Sequence, residues 1–174
     1  MAKIASIALR GLQFLWTLLI MALIGNAIAS RDANTPSTTN YVMFTAAWSM
    51  LTLLYTFPVA FHEGIQGHPM IPLILDVLNV IFTFCAAVAL AAKLGAHSCS
   101  NYAYTNTTGV INYSADDQMK VCRESQASDA FLWFLFATYV GSLVFSVLGL
   151  RSGGASMRGG AGGIRRGPPA MSQV

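Results

Sequence analysis

Of the 174 residues, 55% are hydrophobic and only 10% charged, whereas about a quarter of the residues in an ordinary soluble domain are charged. That balance excludes a soluble globular domain and predicts a single membrane domain. The net charge of +3 is too small to suggest a nucleic-acid partner, and three cysteines are too few for a disulfide scaffold.

Residues 11–28 are almost wholly apolar, interrupted by Gln13, Thr17 and Asn26 and preceded by Lys3 and Arg10. They predict a first span with its basic flank in the cytosol. The same features, with Ala27-Ile28-Ala29 ahead of Ser30, also describe a secretory signal. The apolar run exceeds the roughly 7 to 15 residues usual for such a signal, so retention as a span is expected.

A second span covers 41–60 and carries Tyr41, Trp48, Tyr55 and Pro58, with the proline placed to end or kink the helix. The third, 72–92, would be a helix of about 31 Å, the thickness of a bilayer's hydrocarbon core. Its single charge is Asp76. Short links make spans one to three antiparallel neighbours. A fourth span covers 130–150, completing a membrane domain over 1–150, and 151–174 forms a flexible tail with seven glycines, four arginines and no acid.

The polar loop between spans three and four holds Cys99 and Cys122, while Cys85 lies within span three. A disulfide between the loop cysteines is favoured over two free thiols, with Cys85 a buried thiol. The bond would close a loop of about 24 residues and contribute roughly 3 kcal/mol. Asn106-Thr107-Thr108 and Asn112-Tyr113-Ser114 both fit the glycosylation acceptor pattern and place this loop outside the cytosol. Tyr102 to Ile111 suggests a small hairpin. Ser114 with Asp117 suggests a cap, so that helix four starts before its apolar part. Lys3, Arg10, Arg151, Arg158, Arg165 and Arg166 fall on one side of a four-span chain. Arg31, Lys93, Lys120 and Arg123 fall on the other, mixed with acids. Both termini are therefore expected in the cytosol.

Four candidate features follow. Asp76, Asn79 and Thr83 share one helical face, which reads either as a structural stripe facing the bundle or as a sensing element. At about 6 Å inside the span, Asp76 is within reach of a Tyr, a His or a lipid headgroup. Thr138, Ser142 and Ser146, with Ala137 and Gly141 beside them, form a small-residue contact face that serves packing within the bundle or self-association. On the second reading, Leu at 142 and 146 would reduce clustering and leave insertion intact. The tail arginines Arg151, Arg158, Arg165 and Arg166 suit anionic lipid. His62-Glu63 with His68 lacks the zinc-protease spacing, because the required position is Gln66. No nucleophile, base and orienting group fall together, so neither an enzyme nor a cofactor is expected.

Several stretches carry a family resemblance. They are Asn40-Tyr41-x-x-Phe44, Leu75-Asp76-x-Leu78-Asn79-x-Ile81-Phe82-Thr83-Phe84, Ala96-His97-Ser98-Cys99 with Asn101, Cys122-Arg123 followed by Gln126-Ala127 and Ala130-Phe131-Leu132, and the final Ser172-Gln173-Val174. Together they resemble fungal MARVEL-domain tetraspans of the non-classical export protein family, associated with eisosomes. The resemblance implies an all-α, antiparallel four-helix membrane bundle whose cysteine pair maps onto Cys99 and Cys122 and whose buried acid maps onto Asp76. It further implies a plasma-membrane protein of furrow-like microdomains that responds to sphingolipid, helps assemble a cytosolic scaffold and is linked to export of proteins lacking signal peptides. Expected partners are membrane lipids (sphingolipid, sterol or anionic lipid), eisosome scaffold proteins and further copies of the chain. The alternatives are an oligomeric channel or transporter, needing midplane polar faces on more than one helix, and a vesicle-trafficking adaptor.

Overall fold

A computed structural model describes residues 2–31, 35–61, 70–95, 97–107, 109 and 117–160. Its helices are α1 (Ala2–Ala29), α2 (Ser37–Phe61), α3 (Met70–Leu94), the short α4 (Tyr102–Thr107) and α5 (Gln118–Gly160). All but α4 are long and apolar enough to cross a membrane.

The helices differ from the expected spans chiefly at their ends. Helix α1 begins at Ala2, nine residues before residue 11, because Arg10 is folded into the helix rather than left as a flank. At its other end the Arg31 side chain turns back, Nε donating to the Ala27 carbonyl at 2.9 Å. Partial burial lowers the Arg31 pKa below its usual value by desolvating the charge. Helix α2 runs through Pro58 and stops at Phe61; so near the end, proline leaves only one ladder bond unmade. Helix α3 closes on Gly95, whose φ of 60° lets its N–H donate to the Ala91 carbonyl at 2.8 Å. That is the left-handed cap for which glycine is suited.

Between α3 and α5 the expected hairpin is instead helix α4. Asn101 caps it, its Oδ1 accepting from the Ala103 and Tyr104 N–H groups at 3.2 and 3.4 Å. This side-chain cap satisfies first-turn donors that a hairpin would have paired across strands. Val110, Ile111 and Ser114 lie outside the described residues. Asp117 caps α5, accepting from the Lys120 N–H at 3.0 Å, so the helix starts well before its apolar part. Its backbone stays helical to Gly160, ten residues into the expected tail, since extending an existing helix needs no new nucleus.

Around the bundle the neighbours are α1 with α2, α2 with α3, α3 with α5 and α5 with α1. This order leaves α1 and α3 on a diagonal. One half of the interior is apolar, built from Ile20, Ile24, Val42, Ala46, Ala86, Ala87, Leu90, Leu132 and Leu135. Trp16 stacks on Phe131 beside it, with ring centroids 5.5 Å apart. Large apolar side chains such as Leu18, Leu51, Leu54, Ile74, Ile81 and Phe134 point outward, where a bilayer solvates them. Cys85 is exposed among these, not buried as expected, because it sits on the side of α3 opposite the Asp76 face.

Candidate functional site

The other half of the interior is polar. Arg10, Gln13 and Thr17 follow one another on α1 at spacings of three and four, and so do Asp76, Asn79 and Thr83 on α3. These spacings keep each trio on one helical face. Both faces turn inward, with Arg10 6% and Asp76 0% exposed. The Arg10 guanidinium reaches across the diagonal and donates to both oxygens of Asp76, at 2.6 and 2.7 Å. A bidentate pair of this kind combines charge with fixed geometry.

Further hydrogen bonds in this half of the interior engage all four long helices. Arg10 also donates to Gln13 Oε1 at 3.1 Å. The Gln13 amide in turn donates to Ser142 Oγ at 2.8 Å and to the Thr138 carbonyl at 3.2 Å. Thr17 and Ser49 share a hydrogen bond at 3.0 Å, and Ser49 shares another with Tyr139 at 2.6 Å. Asn79 donates to Thr52 Oγ1 at 2.8 Å and to the Leu75 carbonyl at 2.9 Å, while the Thr83 hydroxyl donates to the Asn79 carbonyl.

The partner of Asp76 is therefore an arginine of α1, not the Tyr, His or lipid headgroup anticipated. Arg10, read from the sequence as part of the basic flank of the first span, lies inside α1 with its side chain turned into the bundle. The signal was present in the sequence: opposite charges head two equally spaced polar trios, each near the start of its own span. A charge left alone in this setting would cost several kcal/mol; paired, it fixes α1 against α3.

Of the small-residue face on α5, Ser142 is buried against Gln13, Thr138 bonds the Leu135 carbonyl of its own helix and Gly141 lies beside Leu9. These three residues pack within the bundle. Ser146 is half-buried and Ala137 exposed.

At the far end of the bundle Cys99 and Cys122 lie side by side, Cα atoms 5.8 Å apart, within the span of a disulfide. Around them Gln126 Nε2 donates to the His97 carbonyl at 2.9 Å, the Tyr104 hydroxyl donates to the Leu94 carbonyl, and Asn26 donates to Glu124 at 2.6 Å. Asn106 is exposed on α4 and accepts from Gln118 at 3.2 Å. Asn112, His62, Glu63, His68, Arg165 and Arg166 lie outside the described residues, as do the side chains of Arg151 and Arg158. Among the described residues no cluster of three metal-ligating side chains occurs.

Comparison with known proteins supplies the family. Residues 3–145 match the model of the MARVEL membrane-associating domain. Non-classical export protein 2 of Saccharomyces cerevisiae is 33% identical over 179 aligned positions, and Non-classical export protein 102 of Candida albicans is 33% identical over 174; both alignments cover the whole of each chain. The Non-classical export protein 2 homolog of Schizosaccharomyces pombe is 25% identical, over 74% of this chain and 69% of its own. No solved structure matches. Four apolar helices, a MARVEL match over most of their length and full-length similarity to two export proteins lead to one assignment: the chain belongs to the fungal non-classical export protein family of multi-pass MARVEL membrane proteins.

Proposed function

We propose that this protein is a non-enzymatic organiser of plasma-membrane microdomains of the eisosome type, responsive to sphingolipid and linked to export of proteins lacking signal peptides. The observation that carries this reading is the disposition of polarity. Polar side chains turn inward and bond one another across four helices, while the outer faces are apolar and free for lipid or further copies of the chain. The relatives named for non-classical export give the reading its direction. A channel or transporter is disfavoured within one copy, because the diagonal Arg10–Asp76 pair occupies the centre of the bundle at its own level.

In this reading the bundle is antiparallel, supported by the pairing of Gln13 with Ser142 and of Asn26 with Glu124, which run in opposite order along α1 and α5. Both termini are cytosolic, and Cys99 and Cys122 form a disulfide that closes an external loop. Arg151, Arg158, Arg165 and Arg166 attract anionic lipid or the cytosolic scaffold. Sphingolipid and sterol contact the outer faces. Deleting the gene in its host and imaging a tagged scaffold protein tests the proposal: surface patches should disperse, and re-expression should restore them. Patches unchanged by the deletion would overturn it.

A further inference from the structure

A cavity of about 350 Å³ lies between the end of α3 and α5, walled by Ala91, Leu94, Gly95, Gln126 and Asp129. The polar side chains among the described residues of its wall are Asp129 and Gln126. The Asp129 carboxylate is hydrogen-bonded by the Trp133 side chain, and its Oδ1 is left without a hydrogen-bond partner. The Gln126 amide spends one N–H on the His97 carbonyl and keeps its oxygen as a second acceptor in the wall. The C-terminal end of α3 adds negative partial charge. A cation with several N–H donors meets all three needs.

The chemistry narrows the cation further. One carboxylate is too few for calcium, which takes six to eight oxygen ligands. A quaternary ammonium is best held against aromatic faces, and none of the described residues that line the cavity is aromatic. Ala91 and Leu94 supply apolar walls, and Phe84, Trp133 and Phe136 continue the α3–α5 seam one to two turns deeper, ring against ring at 5.5 to 6.2 Å. Lys93, exposed on the same turn of α3 as the cavity wall, offers a cation to a neighbouring phosphate.

We infer that this cavity holds the primary ammonium of an aminophospholipid headgroup of the phosphatidylethanolamine type, ion-paired with Asp129, its acyl chain laid along the Phe84–Trp133 seam. The site needs only the membrane-spanning bundle, so it stands or falls apart from lateral organisation.

Native mass spectrometry of the full-length protein in detergent micelles tests it by titration with phosphatidylethanolamine, phosphatidylcholine of the same acyl chains, and free ethanolamine. Phosphatidylethanolamine should bind about tenfold more tightly than phosphatidylcholine, the size expected for one charge-assisted contact. Asp129→Asn should erase that preference. Ala91→Leu, which fills the cavity and leaves the carboxylate in place, should weaken phosphatidylethanolamine binding to the phosphatidylcholine level, and it carries the test should the Asp129 variant fail to fold. Equal binding of the two lipids to the unaltered protein would overturn the assignment, as would a preference surviving in folded Asp129→Asn. Free ethanolamine binding as tightly as the lipid would overturn the lipid source.

Discussion

Arg10 and Asp76 bring the energetics of the bundle down to single residues. Two ionised groups inside a membrane protein cost little together and much apart. Either single variant, Arg10→Met or Asp76→Leu, should destabilise the bundle by about 3–5 kcal/mol, because the survivor is left buried and uncompensated. The double variant Arg10→Met with Asp76→Leu should lose far less than the sum of the single losses, a non-additivity that equilibrium unfolding in mixed micelles measures as a double-mutant cycle. Simple addition of the two losses would mean that the pair does not act as a unit. Ser142 carries a second residue-scale expectation. Leu at 142 strands the Gln13 amide and overfills the α1–α5 contact, at a cost of about 1–3 kcal/mol. Leu at 146, where the serine is only half-buried, should cost less. A thermal melt that ranks the two variants in the opposite order would remove Ser142 from the core.

Elements show which parts of the architecture could be read from the chain alone. Long apolar runs made the four spanning helices legible, because hydrophobic length is a strong and local signal. The start of α1 was not, since a lone Arg near a helix end reads as a topogenic flank until its partner, 66 residues away, is known. Helix α4 was misread for a different reason. Tyr-rich alternation before Asn106 favours a strand, and the outcome turned on the Asn101 side chain capping the next turn. The inward stripe of Asp76, Asn79 and Thr83 was visible as spacing, but its bonding to α1 and α2 depends on tertiary contacts that spacing does not encode. The loop between α3 and α5 carries its own test. Replacing Cys99 and Cys122 with serine should lower stability by about 3 kcal/mol, read as a fall in melting temperature that reducing agent reproduces in the unaltered protein. No effect of reductant would indicate free thiols. Glycosidase treatment should shift the apparent mass if the loop is external and Asn106, exposed on α4, carries sugar, and Asn106→Gln should remove its share of the shift.

The whole molecule separates its tasks by depth and by face. Polar side chains near the starts of α1 and α3 tie the helices together, apolar packing fills the rest of the interior, and the cysteine pair gathers the loops at the far end. The outward surface is what remains for membrane and neighbours, and its apolar character over all four spans suits lateral association with lipid. Imaging of the fluorescently tagged protein in living cells, before and after acute inhibition of sphingolipid synthesis, tests this most directly. Stable surface patches that redistribute on depletion are the predicted result. A uniform distribution, unchanged by depletion, would contradict the account of a lipid-responsive organiser.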